Sequence, residues 1–307
     1  MTLSERVTGG PDVTAPWWSV LRCPRCRGPL QQGGSLRCDV CRASYPVDGG
    51  IPRFVPRADY AEGFGYRWNR RRLEQLDSRS GQPINRDLLL NQSGWSTADL
   101  RGGTVLEYGG GAGRFTEVLC ETGALVTSVE PTSAVHANAA SNGHFPNLRL
   151  VRAGLGELPL PEESFDFVFC RGVVHHCGDA EAAFKTLFRY LRPGGRFCVD
   201  VRAAAVTRTH PLRPLRPITR HLPPAVLYGL VERAVPKLLA LRAIPGLDHL
   251  DGETARSWAV VTTFEWLSPR HLRPQPRRRL ERWTRDLALR EVAIDRHFGV
   301  YVIRGTK

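Results

Sequence analysis

The stretch Val105-Leu-Glu-Tyr-Gly-Gly-Gly-Ala-Gly-Arg114 constrains this chain more than any other. Val105 and Leu106 read as the buried end of a strand. Gly109, Gly111 and Gly113 follow at every second position, and Phe115 to Cys120 resumes at helical period. A strand that breaks into glycines and then into a helix brings bare backbone amides close to a ligand that side chains would keep away. Such a turn serves many ligands, so its surroundings decide.

Downstream, strand and helix signals alternate. Ala124 to Val129 is a short β-branched run ending at Glu130, Ala134 to Ser141 reads as a helix, and Asn147 to Val151 as a third strand. Phe165 to Cys170 is an apolar strand leading into Arg171-Gly-Val-Val-His-His176. A helix is expected over Ala180–Leu191, then a turn at Arg192-Pro-Gly-Gly195 and a strand from Arg196 to Val201. This alternation predicts an α/β fold with a doubly wound, mostly parallel sheet, whose ligands bind beyond the carboxyl ends of the strands. Glu130 stands at such an end, where one carboxylate can accept both hydroxyls of an adenosine ribose.

A second feature lies upstream. Cys23-Pro-Arg-Cys26 and Cys38-Asp-Val-Cys41 place two cysteine pairs in tight turns, with Gly28-Pro29 and Gly33-Gly34 between them. Four thiolates so spaced suit a tetrahedral zinc ion in a closed, structural site. The other cysteines, Cys120, Cys170, Cys177 and Cys198, are scattered through apolar segments as buried thiols of a reducing compartment. No apolar run reaches membrane-span length and the N-terminus lacks a signal-peptide core, so cytoplasm is the expected location. The net charge of +13 is uneven: residues 201–307 hold 20 basic and 9 acidic side chains, while residues 101–200 hold 9 and 11. An anionic substrate or partner is thus permitted near the C-terminal third.

Glu107-x-Gly109-x-Gly111-x-Gly113, Glu130, Leu158-Pro159, Phe165-Asp166, His175-His176 and Leu191-x-Pro193-Gly194-Gly195 together resemble class I S-adenosylmethionine-dependent methyltransferases of the type 11 kind, over roughly residues 103–202. The resemblance implies a seven-stranded Rossmann-like sheet closed by an antiparallel hairpin, here Glu291–Asp295 and Val300–Arg304. It also implies that Gly109, Gly111 and Gly113 approach the methionine part of the cofactor, that Glu107 orients the turn or holds the amino group, and that Glu130 binds the ribose. Where the family commonly has an Asp for the adenine amino group, Ala153-Gly-Leu-Gly156 stands instead. Leu155 is therefore expected to contact adenine. Arg171 is expected to line the cofactor pocket. Residues 21–56, with Tyr45-Pro-Val and Gly50-Ile-Pro-x-Phe54, resemble the zinc-ribbon activator subunits of tRNA, rRNA and protein methyltransferases.

The organisation expected is a flexible leader at 1–19, a zinc ribbon at 20–58, a helical cap or linker at 59–100 and a methyltransferase domain at 101–307. A lid-like, Arg- and Pro-rich insertion over about 203–262 includes apolar helices at Ala225–Val235 and Lys237–Arg242. Tyr66 and Trp68 would line a substrate pocket. A hydroxyl acceptor would benefit from a base, and a neutral histidine near its ordinary pKa suits that work. His176, ahead of His175, is the candidate, since adjacent residues are expected to point apart. The expected function is methyl transfer to a small-molecule acceptor, a secondary metabolite or a sugar intermediate, with zinc structural. Two other readings stay open: an rRNA or tRNA methyltransferase whose ribbon docks RNA, and a cofactor-binding protein that transfers nothing. The oligomeric state is not legible.

Overall fold

Strand β5 (Thr104–Tyr108) runs through the middle of a seven-stranded sheet because its residues are buried at four of five positions. The computed structural model describes residues 17–55, 65, 68–70, 72–156, 158–241, 244, 252–297 and 299–307. From β5 the chain steps outward through parallel β6 (Leu125–Val129) and β7 (Leu148–Val151). It then crosses back to β8 (Phe165–Cys170) on the other side of β5 and on to β9 (Leu191–Arg202), both parallel to it. The antiparallel hairpin β10 (Arg290–His297) and β11 (Val300–Thr306) closes the order β10-β11-β9-β8-β5-β6-β7. The direction of winding reverses at β5 and β8, which opens a crevice at their carboxyl ends.

Successive strand residues feed opposite layers. Leu106, Val168, Cys170 and Val199 pack with Phe184, Leu187 and Phe188 of helix α4 (Ala180–Tyr190). Val105, Phe167, Phe169 and Cys198 pack with Leu89 of α1 (Ile84–Ser93) and with Phe115, Val118 and Leu119 of α2 (Arg114–Glu121). That period-two division is what a sheet covered on both faces requires. Each such buried Leu, Val or Phe contributes about 1.5–3 kcal/mol. Helix α4 starts cleanly because the Asp179 carboxylate accepts the amides of Glu181 and Ala182, both at 3.0 Å. Helix α3 (Ala134–Asn142) lies between β6 and β7, and α7 (Arg277–Asp286) adds Leu280 and Trp283 to the α4 layer.

The N-terminal ribbon has four short antiparallel strands, β1 (Leu30–Gln32), β2 (Ser35–Cys38), β3 (Ser44–Asp48) and β4 (Ile51–Pro52). It is joined to the main sheet. The Arg152 amide donates to Pro52 O at 2.9 Å and the Phe54 amide to Arg152 O at 2.8 Å, so the ribbon's end prolongs the β7 edge. Arg27 donates to Leu158 O at 2.7 Å and to Leu160 O at 2.5 Å. Trp17 and Trp18 form a 3-10 turn against the same core, inside the stretch read as a leader.

Two local readings change. Strand β9 begins at Leu191, not Arg196, and takes Pro193-Gly-Gly195 in as a bulge, visible as a register shift from Phe165↔Leu191 to Phe167↔Arg196. The two helices expected around Pro236 are one helix, α5 (Pro224–Ala240). An internal proline costs one backbone bond and strains the preceding turn. Here Leu227, Tyr228, Val231 and Val235 hold the helix against α6 (Gly252–Leu267), so tertiary packing overrides the local break.

Candidate active site

At the crevice the ends of β5, β6, β8 and β9 surround a cavity of about 230 Å³. The glycine turn forms its floor. Gly113 has φ 95°, and a Cβ there would lie 2.1 Å from Asn142 Nδ2. A Cβ on Gly109 would meet Val173 Cγ2 at 2.1 Å. These two positions exclude any side chain, whereas Gly111 is covered by the Trp68 indole, with Nε1 3.1 Å from where its Cβ would be.

Glu130 is buried and part of the cavity wall. One carboxylate oxygen accepts the Gly111 amide at 3.0 Å. The other accepts the Thr132 amide at 3.0 Å and its hydroxyl at 2.6 Å. Burial pushes this carboxyl above its ordinary pKa, and the Thr132 and Gly111 hydrogen bonds pull the other way. Glu107 sits elsewhere: behind the turn and off the cavity wall. It accepts the Thr116 hydroxyl at 2.5 Å, Thr116 accepts Asn138 Nδ2 at 2.8 Å, and Asn142 Nδ2 donates to Gly113 O at 2.9 Å. That network fixes the turn from below. Burial raises the Glu107 carboxyl too, offset by Ser128 and Thr116.

Arg171 reaches the cavity, where its guanidinium donates to Gln92 Oε1, lies 3.9 Å from the Asp200 carboxylate and covers the Phe115 ring at 5.5 Å. Leu155 does not reach the cavity; it is buried in the core. Cys170 is likewise buried behind the wall, its thiol pushed far up by burial. Trp68 lines the cavity, while Tyr66 lies outside the described residues.

The histidines do not point apart. Val174–His176 is a single 3-10 turn, so His175 and His176 both face the cavity with ring centroids 4.3 Å apart. His175 Nδ1 accepts the Arg202 amide at 3.2 Å, which puts its proton on Nε2, a buried donor without a partner. His176 Nδ1 lies 3.2 Å from His271 O, and a carbonyl can only accept, so this ring carries its proton on Nδ1 and its lone pair on Nε2. Neither stays near an ordinary histidine pKa. Burial, with Arg202 adding to it, lowers His176 to about 4; burial, then the neighbouring His176, lowers His175 well below its usual value.

Sequence reasoning missed Asp200, Arg202 and Glu265, all on this cavity. Asp200 accepts the Gly172 amide at 2.6 Å. A charged residue inside Phe197-Cys-Val-Asp-Val201, at a strand's carboxyl end, is the same signal that singled out Glu130. Glu265 arrives from α6 and gave no local signal. The four cysteines of the ribbon meet as expected: their Sγ atoms all lie within 4.8 Å of one another, with Tyr45 Oη 3.1 Å from Cys23 Sγ.

Sheet order, glycine turn and strand-end cavity define a class I methyltransferase fold preceded by a four-cysteine ribbon. Residues 106–199 match the methyltransferase domain family and residues 19–50 the family of Trm112p-like proteins. A Mycolicibacterium smegmatis protein named "probable S-adenosylmethionine-dependent methyltransferase" is 32% identical over 136 residues, 43% of this chain and 51% of that protein. The ubiquinone/menaquinone biosynthesis C-methyltransferase UbiE of Vibrio campbellii is 30% identical over 105 residues, 32% of this chain and 40% of that protein. The chain thus spans about half or less of these relatives. Among solved structures, an O-methyltransferase family protein from Burkholderia thailandensis aligns with TM-score 0.48 and 12% identity, over 80% of this chain and 62% of that one. A Haloferax volcanii complex containing the Trm112 methyltransferase activator aligns with TM-score 0.45 and 15% identity, over 75% and 96%.

Stability should depend on pH through the desolvated histidines. Below about pH 6.5 the unfolded chain takes up protons that the folded His176 refuses, until the folded ring titrates at about 4. Stability should therefore fall as pH drops through that window, by up to about 1.4 kcal/mol per pH unit per histidine. The raised carboxyls Glu107, Glu130 and Asp200 oppose this trend. They are common to wild type and His176→Gln, so urea unfolding across pH should show a shallower loss in the variant. Identical slopes would contradict a neutral, desolvated His176.

Proposed function

We propose that this chain transfers a methyl group from S-adenosylmethionine to a small-molecule acceptor, a secondary metabolite or a sugar intermediate, and that its ribbon holds one structural zinc ion. The carrying observation is a single cavity in which Glu130, tied to the glycine turn, faces a histidine pair across the crevice. The cofactor, when bound, supplies a methyl group already activated on a sulfonium. The residues fit it: a cradle that Cβ atoms would fill, and a buried carboxylate at the end of β6.

In this reading Gly109, Gly111 and Gly113 receive the methionine part, Glu130 the ribose hydroxyls, and Arg171 the carboxylate end. Glu107 positions the turn and contacts no ligand. Trp68 covers Gly111 and closes that side of the cavity against water, which lets alignment do most of the work. His175 would donate its Nε2 proton to the acceptor. His176, its lone pair on Nε2, would take the acceptor's proton as the new bond forms. A base of depressed pKa is weak but stays deprotonated throughout the physiological range. The quinone C-methyltransferase name of the Vibrio relative supports an acceptor of small-molecule class. None of the eight cysteines is paired in a disulfide, which supports a reducing, cytoplasmic setting.

Zinc fits the ribbon on donor chemistry. A tetrahedral site with Zn–S bonds of about 2.3 Å needs sulfurs roughly 3.8 Å apart, and here Cys23–Cys41 and Cys26–Cys38 stand at 3.5 and 3.4 Å. Metal analysis should find one zinc equivalent per chain, lost in Cys23→Ser with a lowered melting temperature; a metal-free native protein would remove this part of the reading.

For the reaction, labelled S-adenosylmethionine supplied with a metabolite extract and total RNA should label the small-molecule fraction. Label in RNA would replace the acceptor class by the tRNA or rRNA reading. No label in either fraction, with cofactor binding intact, would leave a binding protein that transfers nothing.

A further inference from the structure

The segment between β9 and α6 has a surface unlike the rest of the molecule. Seven large apolar side chains are exposed among the described residues, and five fall here: Leu215, Ile218, Val226, Leu230 and Leu241, at 49 to 76% exposure. Residues 203–241 also carry six basic side chains against one acidic one. On α5 the two properties share a face. Leu227, Tyr228, Val231 and Val235 are buried toward α6, while Val226, Leu230, Arg233 and Lys237 follow at helical spacing along the exposed side. That stripe is apolar and cationic and contains no carboxylate.

The turn Arg213–Leu215 and the helical turn Arg216–Thr219, just before α5, border a second cavity of about 430 Å³. Arg208, Arg213, Arg216, Arg220, Arg270 and Arg273 line it, with no acidic residue among the described ones. No ion pair joins any of the six to a carboxylate among the described residues. Arg216 donates to Trp266 O and to Pro269 O, and burial together with Arg220 and Arg202 lowers its pKa to about 10. Six guanidiniums without counter-charge create a positive potential that a phosphate group would relieve.

We propose that this face docks on an anionic phospholipid bilayer: the arginine cavity receives phosphate headgroups while Ile218 and Leu230, with their apolar neighbours, enter the acyl boundary. Apolar and basic residues mixed on one exposed surface are what interfacial binding needs. RNA would match the charge but not the chemistry. Binding of single-stranded bases relies on aromatic platforms, and the sole Phe, Tyr or Trp of residues 203–241, Tyr228, is buried. No helix among the described residues is long and apolar enough to cross a membrane, so the contact would be peripheral. The proposal does not depend on methyl transfer.

Co-sedimentation of the full chain with vesicles tests it, in phosphatidylcholine alone and in equal parts phosphatidylcholine and phosphatidylglycerol, beside a short single-stranded RNA. Binding to the anionic vesicles only, reduced by salt, is expected. Arg213→Gln and Arg220→Gln should each weaken it about fivefold. Ile218→Ser and Leu230→Ser, which leave the charge unchanged, should each weaken it roughly fivefold or more. All four positions are exposed or edge sites, and unchanged melting temperatures would confirm that the fold is kept. No vesicle binding, equal binding to neutral vesicles, RNA binding in place of vesicle binding, or anionic binding indifferent to both serine substitutions would each overturn the proposal.

Discussion

A buried carboxylate at the end of β6 holds this structure's site together. Leaving Glu130 charged and unpaired in the interior would cost several kcal/mol, and the chain avoids that by giving it the amides of Gly111 and Thr132 and the Thr132 hydroxyl. The same bonds fix where the glycine turn lies relative to the next strand. Gly109, whose amide donates to Val129 O at 2.7 Å, adds a second tie between the two strand ends. Below the turn, the chain from Glu107 through Thr116 and Asn138 to Asn142 sets its height. The cradle is thus rigid before any ligand arrives.

The remaining walls come from parts of the chain far apart in sequence. Trp68 precedes the sheet, the histidine turn follows β8, Asp200 and Arg202 end β9, and Glu265 belongs to a helix packed over the crevice. No ribbon residue among the described ones lines that cavity. Its work is at the opposite edge, where it covers β7 by backbone pairing and braces the Leu158–Leu160 loop through Arg27.

What the sequence made legible follows from how local each signal is. The glycines, Glu130 and the cysteine pairs are encoded within a few residues, and the structure brings them where expected. The histidine pair lies at the strand end where it was expected, but its details differ. A 3-10 turn turned both rings the same way, and burial depressed pKa values that residue identity alone places near neutrality. Leu155 was displaced for a related reason: an apolar residue after β7 gains more from the core than from a cavity wall. Pro236 marked a helix end by local rules, yet the α5–α6 interface carried the helix through it. Glu265 had no signal to give, since only the packing of α6 brings it onto the same cavity as Arg202 and the histidines.

The central claim is that the Glu130-anchored cradle binds the adenosyl cofactor. Calorimetric titration with S-adenosylhomocysteine, on the wild-type chain and on Glu130→Gln, tests it most directly. Measurable binding by the wild type is expected, with a loss of at least about tenfold in the variant, because a charged acceptor of two hydroxyls is neutralised. No heat from the wild type at high micromolar ligand, or equal affinity in a folded Glu130→Gln, would contradict it.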